Sequence, residues 1–147
     1  MKVMVTGHRP QRLRGHEDDV RKWFYKKIQE LEPTKCISGM AQGADQIWAE
    51  CVIKAGIPLS CYFPFPPREV VPAVQNIIDK ADEICYCSDK YSTAAYFVRD
   101  RAMVDAADVV LVVWDGEKGG GTYETMEYAK KMGKKVYILN VSNERVC

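Results

Sequence analysis

A run of three glycines follows the most apolar segment of the chain. The segment Val109–Trp114 contains only apolar residues, which predicts a central parallel strand covered on both faces. Gly119, Gly120 and Gly121 come next, and Thr122 then opens a predicted helix. Glycines let a ligand approach the backbone, and a helix start offers free amides and a positive dipole, so the run favours a bound phosphate. Glycines that only close a tight turn are the alternative.

The loop after the first predicted strand carries an imidazole and a guanidinium. Gly7, His8 and Arg9 follow an apolar segment near the beginning of the sequence. These side chains suit phosphate or sugar oxygens, so the three residues are candidate ligand contacts. Alternatively, His8 and Arg9 fix the loop by bonding carbonyls or an acidic neighbour such as Glu17. Arg12, slightly further along, is expected to be solvated.

A third loop places small residues and a carboxylate between a predicted strand and a helix. Ser38 and Gly39 follow the strand, and Gly43 precedes the helix. Asp45, in the first helical turn, either hydrogen-bonds a ribose hydroxyl or caps the helix. Because the carboxyl ends of parallel strands meet at one edge of a sheet, the three loops should converge on one crevice, and these four residues are candidate ligand contacts there.

Arg99 interrupts an apolar stripe on the helix that precedes the glycine run. Ala95, Ala102, Met103 and Ala106 recur at helical spacing, and Arg99 falls inside their stripe. A buried guanidinium requires a carboxylate or a bound anion, because leaving it unpaired is very costly. We favour an anionic ligand, and the alternative is a structural ion pair with one of three nearby carboxylates: Asp105, Asp108 or Asp115.

Strand and helix patterns alternate along the whole chain, which predicts one α/β domain over residues 1–147. We expect a single Rossmann-like, doubly wound and mainly parallel sheet of about six strands, with helices on both faces. The predicted strands are Lys2–Thr6, Lys35–Ser38, Pro58–Phe63, Glu83–Cys87, Val109–Trp114 and Lys135–Asn140. The predicted helices cover residues 17–31, 44–55, 67–81, 93–107 and 122–132.

The composition limits the classes of partner. Hydrophobic residues make up 47% of the 147 residues, charged residues 28%, and the formal net charge is +1, so neither disorder nor a broad nucleic-acid-binding surface is indicated. No segment approaches the ~18 apolar residues of a membrane span. The sequence enters a predicted strand directly, so no signal peptide is expected and the protein is predicted to be cytoplasmic.

The residue patterns also argue against common cofactors. The six cysteines include no CxxC pair, which makes a metal site improbable. The chain contains neither a G-x-G-x-x-G after the first strand nor a G-x-x-x-x-G-K-[ST], so ordinary NAD or ATPase chemistry is disfavoured. We therefore expect no metal and no cofactor.

Four motifs, taken in order, resemble the SLOG superfamily, a Rossmann-like group that includes Lonely Guy phosphoribohydrolases and DprA/Smf proteins. The resemblance is strongest to its small YpsA-like branch of bacteria and phages. The segments that carry it are Val5–Pro10, Ile37–Asp45, Arg99–Asp105 and Val112–Gly116 running into Gly120–Thr122. The resemblance implies a nucleotide-phosphate site that includes Asp115.

Lonely Guy enzymes cleave nucleoside monophosphates with an arginine and a glutamate within P-G-G-x-G-T-x-x-E. By this resemblance, Arg99 stands where the arginine would. Lys118 replaces the proline and Thr125 replaces the final glutamate, with Glu124 one residue earlier and Glu127 two later. A shift of one residue turns a helical side chain by about 100°, so these glutamates need not reach the same atom.

The leading hypothesis is therefore a binding protein for a nucleotide or nucleotide-derived signal of the ADP-ribose or cyclic nucleotide type. It would act as a sensor or sequestering protein, in phage–bacterial immunity as some SLOG relatives do. The rival is a nucleoside 5′-monophosphate N-glycosidase in which Arg99 holds phosphate and Glu124 or Glu127 acts in catalysis. A third hypothesis is a vestigial crevice in a protein-association subunit. The expected partners are a small nucleotide derivative and copies of the chain in a homo-oligomer, with no membrane and no nucleic acid.

Overall fold

A computed structural model describes residues 1–142 of the chain. Six strands form one sheet in the order β4-β3-β2-β1-β5-β6, and every neighbouring pair is parallel. This confirms the predicted fold class, with all six strands parallel. In chain order the strands are β1 Lys2–Gly7, β2 Lys35–Ser38, β3 Leu59–Phe63, β4 Glu83–Tyr86, β5 Val109–Trp114 and β6 Lys135–Asn140.

Five α-helices and one short 3-10 helix, Pro10–Arg12, connect the strands. The prediction of the third helix was wrong at its start, since the helix begins at Pro72 rather than at residue 67. Proline is favoured in the first helical turn, where its missing N–H costs nothing, and the three prolines of residues 64–67 keep the preceding segment out of the helix. The α-helices are α1 Glu17–Leu31, α2 Ala44–Lys54, α3 Pro72–Lys80, α4 Thr93–Ala106 and α5 Gly120–Lys131.

The sheet separates two hydrophobic cores. Side chains alternate along β1, so Val3 and Val5 belong to one core and Met4 belongs to the other. The first core contains Phe24 of α1 and Trp48 of α2, whose rings meet edge to face at 5.1 Å. The second core is built by α4 and α5 against the opposite face of the sheet. Helices therefore cover both faces, as predicted.

The central strand β1 lies between β2 and β5, so the strand order reverses at this point. Ligands of such sheets bind beyond the carboxyl ends of the strands where the order reverses. None of the helices within residues 1–142 is long and apolar enough to cross a membrane. The prediction of one domain over residues 1–147 stays a prediction, and its last five residues, including Cys147, lie outside the described part.

Candidate functional site

A crevice of about 440 Å³ opens beyond the carboxyl ends of β1 and β5. It contains seven of the predicted ligand residues: Gly7, His8, Arg9, Asp45, Arg99, Gly121 and Thr122. Residues from the α4 helix and from the loops after β1 and β2 complete the wall. These further lining residues are Thr6, Gln11, Arg12, Ala41, Tyr96 and Asp100.

The loops after β1 and β2 touch at two glycines. A Cβ on Gly43 would overlap the carbonyl oxygen of His8 and lie 2.9 Å from the Cα of Arg9. A Cβ on Gly7 would lie 2.5 Å from the Cβ of Ala44. The amide of Ala44 donates to the carbonyl of His8 at 3.2 Å. Gly7 and Gly43 therefore permit close packing between loops, and only Gly7 lines the crevice.

His8 joins the ends of β1 and β5. Its Nε2 accepts a hydrogen bond at 3.1 Å from the amide of Asp115, the residue after β5. Burial, followed by the positive charge of Arg12, lowers the pKa of His8, which favours this neutral acceptor form. The loop-fixing role considered for His8 is present, with the amide of Asp115 as partner rather than Glu17.

The sequence predicts a solvated Arg12, but its guanidinium is instead bound to a carboxylate. Its Nε and Nη2 donate to the two carboxylate oxygens of Asp115, each at 2.7 Å. Burial alone would raise the pKa of Asp115, but hydrogen bonds from Arg12 and from the amide of Glu117 outweigh it, so the pKa lies below its usual value. The Asp115 carboxylate, predicted to bind ligand, is thus held by protein groups beside the crevice.

Arg9 is the crevice guanidinium that keeps its donors available. It is exposed and makes no side-chain hydrogen bond or ion pair within residues 1–142, although its charge is close enough to offset a little of the burial that raises the pKa of Asp45. A guanidinium offers a fixed fork of donors to phosphate oxygens. Arg9 can therefore contact an anion in the crevice without losing a protein partner.

Ser38 and Asp45 shape the loop after β2. The buried Ser38 hydroxyl donates to the carbonyl of Asp45 at 2.8 Å and accepts from the amide of Met40 at 3.2 Å. One carboxylate oxygen of Asp45 accepts from the amide of Ala41 at 3.3 Å. Asp45 thus bonds the preceding loop, and the helix that follows begins without a side-chain cap, so the capping alternative is wrong. Binding of a ribose hydroxyl by Asp45 stays a prediction.

Arg99 is buried, and its hydrogen-bond partners differ from those that the sequence suggested. It donates from Nη1 to the carbonyl of Gly39 at 2.6 Å and from Nε to Asp100 at 2.7 Å. None of the three aspartates considered as its partners is used. Only 7% of the Arg99 surface is exposed, and it lines the crevice. Gly39 lies outside the crevice wall.

Two carboxylates, the buried Asp45 and the half-buried Asp100, flank Arg99 and share its charge. Burial raises the pKa of Asp45 to about 7, although the positive charge of Arg99 acts in the opposite direction. Burial likewise raises the pKa of Asp100, which also accepts a hydrogen bond from Thr125 at 3.3 Å. Near neutral pH Asp45 is therefore partly protonated, so the crevice carries less negative charge than two ionised carboxylates would give, which favours an anionic ligand.

The glycine run opens α5 onto the crevice. The helix begins at Gly120, two residues earlier than predicted, and Gly119 provides no side-chain cap. A Cβ on any of the three glycines would meet nothing within 4 Å. Gly119 and Gly120 have positive φ angles of 107° and 86° that favour glycine, whereas Gly121 does not. Gly121 and Thr122 line the crevice, and Gly119 and Gly120 do not.

The two glutamates of the glycosidase hypothesis lie elsewhere. Glu124 and Glu127 line another cavity, of about 370 Å³, which is formed by α4 and α5 and shares Asp100 with the crevice. Glu127 is exposed and forms an ion pair with Lys130 at 3.6 Å. The crevice therefore does not contain them, and its own carboxylates are Asp45 and Asp100.

Asp100 and Tyr96 are site residues that the sequence analysis missed. Both lie on α4 in the same turn as Arg99, and both line the crevice. The available signal was their spacing. Tyr96 lies three residues before Arg99 and four before Asp100, and residues three or four apart lie on the same face of a helix. Within the described residues, no group of three or more His, Cys, Asp or Glu side chains could hold a metal ion.

No model of a known protein family matches the chain, and no curated protein matches it significantly. Solved structures do match. DNA processing protein A, DprA, from Streptococcus pneumoniae superposes with a TM-score of 0.73 at 21% identity, over 93% of this chain and 49% of that one. This chain therefore spans about half the length of that protein.

Two further structures widen the comparison. DprA from Helicobacter pylori, described for its single-stranded DNA binding mode, has a TM-score of 0.73 at 17% identity, over 99% of this chain and 67% of that one. The molybdenum cofactor binding protein from the phototrophic bacterium Rippkaea orientalis has a TM-score of 0.68 at 18% identity, over 95% and 76%. The chain thus shares a Rossmann-like fold with these proteins, which is consistent with the resemblance to the SLOG superfamily, and the YpsA-like branch stays a prediction.

Proposed function

We propose that this protein binds a nucleotide or nucleotide-derived ligand, with a phosphate of the ligand at the start of α5. The observation that carries this proposal is Gly121. Its backbone needs no glycine, and a Cβ there would meet no protein atom within 4 Å, yet the residue lines the crevice. Space beside first-turn amides that no protein group fills suits an anion, and Arg9 faces it with donors available.

The proposed role is that of a sensor or sequestering protein for an ADP-ribose or cyclic nucleotide signal, in phage–bacterial immunity. Support for binding without turnover comes from Glu124 and Glu127, which line a different cavity from Arg9 and Gly121. The Rossmann-like fold also occurs in a molybdenum cofactor binding protein. A homo-oligomer and the absence of nucleic acid as a partner remain predictions, to be tested by light scattering and by single-stranded DNA titration.

The proposal is tested first on small molecules that the purified protein retains, identified by mass spectrometry, and then by calorimetry with ADP-ribose. Gly121→Asp should fold normally and lose at least tenfold in affinity, because bulk and a negative charge enter the phosphate position. Gln29→Glu adds the same charge on the exposed face of α1 and should bind like wild type. Equal ADP-ribose affinity in Gly121→Asp and wild type would exclude this phosphate position.

Hydrolysis provides a separate test against the glycosidase alternative. We expect no base release above background when the protein is incubated with a panel of nucleoside 5′-monophosphates and analysed by chromatography. Turnover on the order of 1 s⁻¹ that is lost in Glu124→Gln or Glu127→Gln, with binding preserved, would replace the binding role by an enzymatic one.

A further inference from the structure

A third cavity, of about 290 Å³, adjoins the crevice beyond the ends of β2 and β3. Its chemistry differs from that of the crevice, since apolar and aromatic side chains predominate. Ligand pockets of this kind combine an apolar lining with a few polar groups that orient the ligand. The apolar part of the wall includes Phe63, Pro64, Phe65, Pro67, Val70 and Val74.

Aromatic rings give this cavity a defined shape. Phe65 lies between Tyr91 and Tyr96, with centroid distances of 5.4 and 5.6 Å and nearly perpendicular planes. Such edge-to-face contacts restrict how each ring can turn. The prolines on both sides of Phe65 further limit its backbone. The wall therefore suits a planar ring better than a flexible chain.

The two cavities share one wall. Arg9, Ala41, Tyr96 and Arg99 line both of them. The guanidinium carbon of Arg99 lies 5.9 Å from the centre of the Tyr96 ring, and its bonds to Gly39 and Asp100 hold it there. A ligand that crosses this wall would place one end at the start of α5 and the other among the aromatic rings.

We propose that the apolar cavity binds the planar heterocycle of the ligand whose phosphate lies at the start of α5. This inference rests on the proposed phosphate site and adds the ligand class, a phosphorylated compound with a flat ring system such as a purine nucleotide. Stacking on Tyr96 and a cation–π contact with Arg99 would hold the ring. Gln42 and Glu69, also in this wall, offer acceptors to an amino group on its edge.

The test compares AMP with ribose 5-phosphate, since AMP carries adenine where ribose 5-phosphate carries a hydroxyl group. Calorimetry of the wild-type protein should show AMP binding roughly tenfold or more tightly, as expected for stacking of one base. Val74→Phe fills the apolar cavity and should remove this advantage without changing the affinity for ribose 5-phosphate. Val98→Phe, on the exposed side of α4 and outside both cavities, is the matched control and should change neither.

Phe65→Ala gives a second, independent variant, since it removes an aromatic wall without adding bulk. This variant should also lower the affinity for AMP and leave the affinity for ribose 5-phosphate unchanged. Equal affinity of the wild type for both probes, or AMP binding unchanged in both variants, would overturn the ring site and leave the phosphate site intact. Gly121→Asp should weaken the binding of both probes. Wild-type protein that binds neither probe would overturn this inference, whereas the titration with ADP-ribose decides the proposed function separately.

Discussion

Glycines serve different purposes in two places beyond the strand ends. We call the contact between the loops after β1 and β2 the packed junction, and the start of α5 the open junction. At the contact between the loops after β1 and β2, added Cβ atoms on Gly7 and Gly43 would collide with protein atoms. At the start of α5, added Cβ atoms on Gly119, Gly120 and Gly121 would meet nothing within 4 Å. The first set of glycines is needed to pack the chain, whereas the second keeps open space beside helix amides. Open space also surrounds Gly56 and Gly133, whose positive φ angles favour glycine. Gly121 differs from them because neither packing nor backbone conformation requires a glycine there.

The largest effect should come from the packed junction. Gly43→Ala forces a Cβ against the backbone of His8 and Arg9 at a φ of +96°, so strain and overlap act together. We expect the free energy of unfolding to fall by about 4 kcal/mol, as measured by urea denaturation. A loss below about 1 kcal/mol would mean that the two loops separate easily, and the contrast between the junctions would then disappear.

An intermediate effect should come from charge at the same packed junction. Because the pKa of Asp45 is about 7 in the folded protein and near 3.8 in the unfolded chain, folding retains a proton that unfolding releases between these pH values. The contribution of Asp45 to stability is therefore lost as the pH rises from about 4 to 7. Asp45→Asn should avoid this loss.

The measurement for Asp45 is the difference in unfolding free energy between Asp45→Asn and wild type across the pH range. This difference should grow in favour of the variant by about 3 to 4 kcal/mol between pH 4 and pH 8, because each unit of pKa difference corresponds to about 1.4 kcal/mol. Because all other titrating groups are common to both proteins, they cancel. Parallel pH profiles would show that folding does not raise the pKa of Asp45.

The smallest effect on stability should come from the open junction. Gly121→Ala adds a methyl group in a helical conformation with free space around it, so stability should stay equal or rise by up to about 1 kcal/mol. Its affinity for ADP-ribose should nevertheless fall, because the methyl group enters the phosphate position. A clear loss of stability would give Gly121 the same packing role as Gly43.

Local patterns explain why most of the fold could be predicted. The strands β2, β5 and β6 have the predicted ends, since apolar runs and flanking turns mark them. The helix α1 also ends as predicted at Leu31, because Glu32 adopts a left-handed φ of 47° immediately before Pro33. The start of α3 was missed because closely spaced prolines allow several helix starts, and only packing against the first core selects Pro72.

The sequence by itself determined the alternating strands and helices, the three loops at the strand ends and the excess of polar residues there. These features depend on neighbours a few residues apart, which the sequence shows directly. Only the tertiary structure decided that Arg12 pairs with Asp115, 103 residues away, and that Arg99 bonds Gly39, 60 residues away. Such partners depend on how packed helices orient side chains over the sheet, so residue types and spacing alone leave several pairings open.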